Sequence, residues 1–196
     1  MSSITVKALK GRALEAALPD VARLRIAVFR EWPYLYDGDV AYERRYLAGY
    51  SDTPEAVIAV ALVGDRVIGA STGMPLSAHG DASSISLPAG VPPTEQIYYC
   101  AESVLLPDYR GQGLGHRFFD IREEVAVDAG FKLSIFASVI RPSDHPLRPD
   151  SYRPLDGFWR KRGYAPVEGA ALSIAWKDID QPQETQKSFR IWARVL

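Results

Sequence analysis

The segment 110–115 reads Arg-Gly-Gln-Gly-Leu-Gly and has the composition of an anion-binding turn. It follows the apolar run 97–106 and opens a stretch in which Leu114, Phe118 and Ile121 recur at helical spacing. At a helix start the first N–H groups have no intrahelical acceptor, and the helix dipole adds positive charge there. Glycines let such a backbone approach a phosphate closely. The segment therefore predicts a phosphate site at the start of a helix.

Two common phosphate-binding motifs do not have this spacing. A P-loop carries Lys-Ser or Lys-Thr after its last glycine, whereas His116 and Arg117 follow here. A dinucleotide fingerprint reads Gly-x-Gly-x-x-Gly, whereas these glycines alternate with other residues. The spacing thus argues against a nucleotide-binding protein. A loop whose glycines only make a tight strand-to-helix turn is the remaining alternative to a phosphate site.

The segment does match the pattern Arg/Gln-x-x-Gly-x-Gly/Ala, which resembles the pyrophosphate loop of the GNAT superfamily of acetyl-CoA-dependent N-acyltransferases. Two flanking segments match that superfamily in order and distance. They are Leu105-x-Pro107-x-x-Arg110-Gly111 before the loop and Phe158-Trp159-x-x-x-Gly163-Tyr164 after it. The resemblance covers nearly the whole chain.

The resemblance implies that acetyl-CoA is the cosubstrate and that backbone atoms hold much of it. Its pyrophosphate is expected on the N–H groups of the loop, together with His116, and its pantetheine arm on the strand just before the loop. One N–H of that strand is also expected to stabilise the oxyanion of the reaction. The cofactor-binding residues expected in this way are Val104, Leu105, Leu106, Arg110, Gly111, Gln112, Gly113, Leu114, Gly115 and His116.

Glu102 is the one carboxylate within the apolar run 97–106. An acid in such a strand is costly unless it has a partner or a chemical task. An alkylammonium with a pKa of about 10 must lose a proton before it attacks a thioester. Glu102 is the candidate for the base or water-orienting residue, and an ion pair with a neighbouring arginine is the alternative. Tyr99 is a rival candidate on the opposite strand face, unless a bulge breaks the alternation.

The usual acid for the leaving thiol is missing. Members of the superfamily often carry a tyrosine where this chain has Trp159, and an indole cannot act as an acid. Either the thiolate leaves unaided, which a thiol pKa of about 8.5 allows, or another group donates the proton. Tyr152 and His145, in the proline-rich segment 141–153, are the candidates, with ordinary loop structure as the alternative.

An aromatic segment is expected near the acceptor amine. Tyr34 and Tyr36 belong to a tyrosine- and tryptophan-rich stretch, 32–50, which corresponds to the region that lines the acceptor site in relatives. We take these two tyrosines and His145 as candidate substrate contacts. Packing of the same rings between helix and sheet is the alternative. The segments 76–95 and 141–153 lack periodicity and are expected to frame the pocket.

The elements that must position these residues follow from periodicity. Apolar alternation predicts strands at 4–9, 56–63, 66–74, 97–106 and 133–140 and a C-terminal hairpin, and helical spacing predicts helices beginning at Pro19-Asp20 and covering 41–49, 113–129 and 155–162. The order β-α-α-β-β-β-α-β-α-β-β is also the GNAT order. We therefore expect one α/β domain over residues 1–196, with a mixed, mostly antiparallel sheet of six to seven strands. The resemblance implies that the fourth and fifth strands splay apart around the cofactor.

Composition narrows the class of protein. The 196 residues include 23 Lys and Arg against 24 Asp and Glu, a net charge of −1, so no basic surplus points to nucleic acid or an anionic membrane. Cys100 is the single cysteine, which fits a reducing cytoplasm. No apolar run approaches the ~20 residues of a membrane span. The histidines have no metal-ligand spacing, so no metal is expected.

Three functions fit the resemblance. The first is transfer of an acetyl group, by direct attack, to a primary amine of a small molecule or amino-acid-like metabolite. The others are acetylation of a protein or peptide amine and a non-catalytic acyl-CoA-binding sensor, which the missing tyrosine favours. A homodimer is left open, because relatives are often dimers and the strand 189–195 offers a surface for pairing.

Overall fold

Alternating apolar residues form one sheet, and residues at helical spacing cover it. The computed structural model describes residues 3–196. Its strands are β1 (Ile4–Leu9), β2 (Val57–Val63), β3 (Arg66–Pro75), β4 (Ile85–Ser86), β5 (Ile97–Tyr99), β6 (Ser103–Leu105), β7 (Leu133–Val139), β8 (Ala165–Pro166), β9 (Ala171–Lys177) and β10 (Glu184–Val195). Its α-helices are α1 (Gly11–Phe29), α2 (Val40–Leu47), α3 (Leu114–Asp128) and α4 (Asp156–Lys161).

The expected α/β class with a mostly antiparallel sheet is confirmed. The strand order is β1-β2-β3-β5-β7-β10-β9-β4, with β6 paired with β3 and β8 with β10. The β5–β7 pair is parallel. The expected six to seven strands are too few, since the sheet has ten. The central strand is divided into β5 and β6, and the two-residue strands β4 and β8 pair with the C-terminal hairpin.

The first helix starts earlier than the sequence predicted. It begins at Gly11 rather than at Pro19, which lies inside the helix on its exposed side. A proline in a helix interior costs about 3 kcal/mol. Leu14 and Val21, on either side of it, are fully buried against the sheet, and each such side chain stabilises by roughly 1.5–3 kcal/mol. Apolar burial therefore offsets the proline, which the sequence interpretation had taken as a helix start.

The central strand contains a bulge between β5 and β6. Tyr99 pairs with Met74 and Ser103 pairs with Ser71. Three residues of the central strand therefore lie opposite two residues of β3. A bulge of one residue breaks the strict alternation of side chains. As a result Tyr99 and Glu102, expected on opposite faces, both point to the face covered by α1 and α2.

The central strand and β7 separate where the bulge begins. Their pairing ends at Tyr99 opposite Ile135, and the Cys100 N–H then donates to the Ile135 carbonyl (2.8 Å). Beyond this point β7 continues along β10 while β6 pairs with β3. The expected splay between these two strands is therefore present.

Helices cover both faces of the sheet. Along β2, Ile58 and Val60 pack with α1, and Ala59 and Ala61 pack with Phe118 of α3. This is the period of two expected for a strand buried on both sides. Within residues 3–196 no helix has the length and apolar content to span a bilayer.

Candidate active site

The segment 110–115, here called the glycine loop, joins β6 to α3. Gly111 and Gly113 both have a φ of +76°, a conformation that residues with a side chain disfavour. Gly113 directly precedes α3, which begins at Leu114, and the Gln112 side chain is exposed. A Cβ added at either positive-φ glycine would meet no atom within 4 Å. The loop therefore presents an open backbone at the positive end of a helix dipole, which fits a pyrophosphate.

Arg110 links the glycine loop to the segment that follows α1. Its Nε donates to the Leu105 carbonyl (3.0 Å), and its Nη2 lies 2.9 Å from a carboxylate oxygen of Glu31. Both partners of this ion pair are nearly half exposed, so the pair is worth about 0–1 kcal/mol. Arg110 therefore orients the loop more than it stabilises the fold.

The first turn of α3 packs against α4. A Cβ added at Gly115 would lie 3.4 Å from the Phe158 ring. The His116 ring contacts the same phenyl group, with 4.8 Å between centroids, and Arg162 Nη1 lies 3.4 Å from His116 Nδ1. His116 is thus held beside the glycine loop, where the sequence placed it.

The residues expected to hold the pantetheine arm differ in where their backbones point. The Leu106 N–H donates to a carbonyl of β3 (3.0 Å), and the Glu102 carbonyl accepts from the Thr72 N–H (3.1 Å). Since alternate residues of a strand direct their polar groups to the same edge, Val104 also faces β3. Leu105 is therefore the one of the three whose N–H points toward the gap beside β7.

Glu102 is buried at the bulge, with 5% of its surface exposed. One carboxylate oxygen accepts from Arg25 Nη1 and the other from the Thr72 hydroxyl. Its backbone carbonyl accepts from Arg122 Nη1 (3.0 Å). Arg25 binds a second carboxylate, that of Glu43 on α2, through Nε. The ion pair with an arginine, one of the two interpretations of this residue, is therefore present.

The charges of this cluster respond differently to burial. Burial disfavours the anion of Glu102, yet the Arg25 guanidinium, together with His79 and the Thr72 and Tyr46 hydroxyls, outweighs it, and the pKa of Glu102 lies below its ordinary value. Burial dominates at Glu43, whose pKa is raised despite the same guanidinium. Burial also opposes the charge of Arg25, but the two carboxylates and Tyr46 keep its pKa above the ordinary value. Glu102 is therefore ionised at neutral pH.

His79 connects to this cluster through a tyrosine. Its Nδ1 accepts from the Asp81 N–H (3.0 Å), which assigns the proton of the neutral ring to Nε2. That nitrogen lies 3.1 Å from the Tyr46 hydroxyl, and Tyr46 is one of the groups that lower the pKa of Glu102. Burial lowers the pKa of His79. Sequence reasoning missed this residue, because an aperiodic segment gives no sign of which helix it will contact.

A cavity of about 80 Å³ lies above Glu102, on the face covered by α1 and α2. Ala101 and Ala137 line it from the two strands that have just separated, and Arg25, Asp81 and Glu102 supply its charged groups. Its aromatic walls are formed by Phe29, Tyr34, Tyr36, Tyr42, Tyr46, Tyr99, Trp176 and Phe189. The cavity therefore combines apolar walls with ionised groups at the splay.

Three candidate tyrosines join Glu102 in this cavity, so that four of the candidate residues meet there. Tyr34, Tyr36 and Tyr99 all line it, and the Tyr34 ring packs on Phe29 at 4.4 Å and on Trp176 at 6.1 Å between centroids. Burial raises the pKa of Tyr34 to about 12, so its hydroxyl stays protonated. These tyrosines both pack the helix against the sheet and form the cavity wall.

Arg141 holds the cavity walls together. Its Nε donates to the Pro33 carbonyl (2.8 Å) and its Nη1 to Asp178 (2.7 Å). The Trp176 indole N–H donates to the Tyr34 carbonyl (3.1 Å). These bonds join the loop after α1, the proline-rich segment and β9. No residue of 141–153, expected to frame the pocket, lines the cavity. The segment supports the cavity from behind through the Arg141 guanidinium, which the sequence interpretation did not single out.

Tyr152 and His145 lie away from the cavity wall. Both pack on Trp32, with centroid separations of 5.9 Å for the tyrosine and 5.1 Å for the histidine. The sequence placed both residues in one loop. It did not predict that both would pack on Trp32. Their assignment as proton donor or substrate contact stays a prediction.

Trp159 is a packing residue of α4. Its ring lies 5.0 Å from that of Phe136 and 5.1 Å from that of Trp192. Tyr164, which lies beyond the end of α4, is buried and donates to Glu123 (3.0 Å), as expected for a core residue. Among residues 3–196, no group of three or more His, Cys, Asp or Glu side chains is placed to hold a metal ion.

Solved acetyltransferases share this architecture along the whole chain. A ribosomal-protein-alanine N-acetyltransferase from Brucella melitensis superposes with a TM-score of 0.63 at 11% identity, over 98% of this chain and 99% of that one. An N-acetyltransferase from Staphylococcus aureus gives 0.60 at 12%, over 99% of both chains. The PaiA N-acetyltransferase from Thermoplasma acidophilum, solved in complex with coenzyme A, gives 0.55 at 12%, also over 99% of both.

Neither a family model nor a curated protein matches the sequence. The likeness is therefore one of fold, at sequence identities where side chains are mostly different. The resemblance expected from the glycine loop is confirmed at this level: the chain has the fold of the GNAT acetyltransferases.

Proposed function

We propose that this protein transfers the acetyl group of acetyl-CoA to the primary amine of a small molecule or amino-acid-like metabolite. The observation that carries the proposal is the position of the aromatic cavity. It is lined by Ala101 and Ala137, so it opens at the point where the two strands separate. The glycine loop lies further along the same central strand. A thioester held in the gap would therefore lie next to an amine held in the cavity.

Backbone groups are proposed to hold the cosubstrate. When bound, acetyl-CoA supplies an activated acetyl group. The N–H groups of the glycine loop face its pyrophosphate, and Leu105 directs an N–H toward the gap where the pantetheine arm and thioester would lie. A backbone donor placed there strengthens as the carbonyl oxygen gains negative charge. The fold shared with a coenzyme A complex supports this assignment.

The proton of the amine is proposed to leave through water held by Glu102. Because Glu102 is ion-paired and ionised, it favours the approach of an ammonium and orients water, but it is a weak proton acceptor at neutral pH. The neutral nitrogen then forms a bond to the acetyl carbon, and the carbon–sulfur bond breaks. The sulfur leaves as a thiolate, since a thiol pKa of about 8.5 permits this near neutrality. Tyr99, which lines the same cavity, is the second candidate for the base or water-orienting residue.

Titration calorimetry with acetyl-CoA tests the first half of the proposal. Gly113→Val places a β-branched residue at a φ of +76° and should abolish binding. Gly64→Val is the matched control, because Gly64 has a φ of +58° in the β2–β3 turn. It should lose similar stability yet bind acetyl-CoA normally. Normal binding by Gly113→Val would contradict the assignment of the loop.

Thiol release with a panel of amines tests the second half. Acetyl-CoA-dependent release that requires an amine supports the enzyme. Binding of acetyl-CoA without transfer to any amine would instead indicate an acyl-CoA sensor. Transfer confined to peptides would indicate a protein or peptide acetyltransferase.

A further inference from the structure

The cavity contains more acidic than basic groups. Glu102, Glu43 and Asp81 lie in or directly behind its walls, against one guanidinium, that of Arg25. His79, between Asp81 and the tyrosines, is buried and neutral because burial lowers its pKa. A cation entering the cavity therefore meets a favourable potential, and an anion meets an unfavourable one.

Arg25 is already paired with two carboxylates, so the cavity has no excess positive charge to offer a substrate carboxylate. Its Nε binds Glu43 and its Nη1 binds Glu102. Its guanidinium carbon lies 4.2 Å from the Tyr46 ring centroid and 5.1 Å from that of Phe29. Two of the three nitrogens and a face of the guanidinium are thus in use, and its charge is balanced by two carboxylates.

The cations next to the cavity are paired in the same way. Arg141 and Lys187 lie against the Trp176 ring at 5.6 and 4.9 Å from its centroid. Both bind Asp178, at 2.7 and 3.4 Å, and neither lines the cavity. They fix the tryptophan from behind and do not face the substrate.

The walls that remain free for a ligand are aromatic. Tyr34 and Trp176 are stacked, with 27° between ring planes, and Phe189 packs on both. Tyr99 closes the side next to the splay. Such walls favour a flat apolar group, and their ring faces also attract an ammonium.

We infer that the acceptor is a primary amine on an aromatic body with no carboxylate next to the nitrogen, that is, an arylalkylamine rather than an α-amino acid, a polyamine or a peptide. This inference rests on the proposed function and narrows its substrate class. The ammonium would lie toward Glu102 and Asp81, and the ring against Tyr34 and Trp176. An α-carboxylate would face the same acids, and the one guanidinium there is already balanced by two carboxylates.

A matched set of acceptors tests the inference in the wild-type protein. With saturating acetyl-CoA, kcat/KM is measured from thiol release for 2-phenylethylamine, L-phenylalaninamide, L-phenylalanine, 2-cyclohexylethylamine, spermidine and an alanine-initiated peptide. The first three compounds differ only at the α-carbon, so they separate the effect of bulk from that of negative charge. We expect 2-phenylethylamine to exceed L-phenylalanine and spermidine at least tenfold, with L-phenylalaninamide between, and to exceed its cyclohexyl analogue.

A charge variant supplies a second measurement. Asp81→Asn should raise the KM for 2-phenylethylamine about fivefold and leave the acetyl-CoA affinity unchanged. Asp128→Asn is the control, since Asp128 is exposed at the end of α3 and lies outside the cavity. It removes the same charge and should change neither quantity.

Each other outcome is informative. A preference for L-phenylalanine, spermidine or the peptide, or acetyl-CoA binding without transfer to any of the six compounds, would overturn the substrate class. An equal increase in KM in both aspartate variants would show that only the net charge of the protein matters, and it would also overturn the inferred substrate class. Absence of acetyl-CoA binding would overturn the proposed function and this inference with it, so the two failures are distinguishable.

Discussion

Arg25 and Glu102 form a buried ion pair that joins α1 to the bulge of the central strand. Their side chains are 8% and 4% exposed, and 77 residues separate them in the sequence. The same guanidinium also binds Glu43 of α2. The Arg25 side chain therefore links α1, α2 and the sheet. The pair therefore positions a carboxylate at the cavity and connects three elements of the fold.

Removal of Arg25 should be strongly destabilising. Arg25→Met leaves two buried carboxylates without their cation, and loss of one partner of a buried pair costs about 3–5 kcal/mol. The free energy of unfolding in urea measures this. Arg12→Met, on the exposed side of the same helix, should change it by less than about 0.5 kcal/mol. A similar small change for Arg25→Met would mean that the pair contributes little.

Glu102→Gln should lower kcat about tenfold or more without changing the pH dependence near neutrality. The pKa of Glu102 lies below its ordinary value, so its ionisation is complete well below pH 7. The rise of kcat/KM between pH 6 and 9 should instead follow the acceptor, whose ammonium has a pKa of about 10. The pH–rate profiles of both proteins are compared. A rise of the rate near neutral pH that is present in the wild type and absent from Glu102→Gln would identify Glu102 as the base.

His79 should make stability fall on acidification. Burial lowers its pKa in the folded protein, so between that value and about 6.5 the unfolded chain binds more protons. The contribution of neutral His79 to the free energy of unfolding is fully present above pH 6.5, and it is lost as the pH falls through the pKa of His79 in the folded protein. We expect His79→Gln to be destabilised relative to wild type by less at pH 5.5 than at pH 7.5. Thermal unfolding at both pH values measures this.

The raised pKa values of Glu43 and Asp81 change stability in the opposite direction. Both groups remain in His79→Gln, so the difference between the two proteins mainly reports His79. A stability gap that stays constant or widens at pH 5.5 would contradict the assignment of a neutral, buried imidazole.

Trp159 should affect stability and not the chemical step. Its ring packs on Phe136 and Trp192, and an indole has no proton to give to a thiolate. Trp159→Phe should cost about 1–2 kcal/mol of stability and keep kcat within about twofold. Stability comes from urea unfolding and kcat from thiol release. A tenfold loss of kcat at normal stability would place this side chain beside the leaving group.

Arg141 should control the acceptor and not the cosubstrate. Arg141→Met removes the hydrogen bonds to the Pro33 carbonyl and to Asp178, so the cavity walls are no longer held together. The KM for the acceptor should rise about tenfold, while calorimetry with acetyl-CoA gives an unchanged affinity. Arg148→Met, exposed in the same loop, is the control. Equal losses of affinity for both substrates would indicate general unfolding.

The sequence by itself determined the elements whose chemistry is local. The positive φ of Gly111 and Gly113, the helix that starts at Leu114 and the alternation in β1 all depend on residues close together in the chain. For that reason the glycine loop and the order of elements could be predicted. Pro19 was misleading because its local preference for a helix start was weaker than apolar burial on both sides of it.

Only the tertiary structure decided the surroundings of Glu102. The bulge depends on register with β3, and register is a property of two strands. The contacts of Glu102 with Arg25 and of Tyr46 with His79 join residues 77 and 33 positions apart. No periodicity encodes such contacts, because they arise when separately formed elements pack and buried charges must find partners. The glycine loop was therefore predictable from the sequence, and an ion pair of Glu102 was one of its two interpretations, whereas the identity of the partner, Arg25, was not predictable.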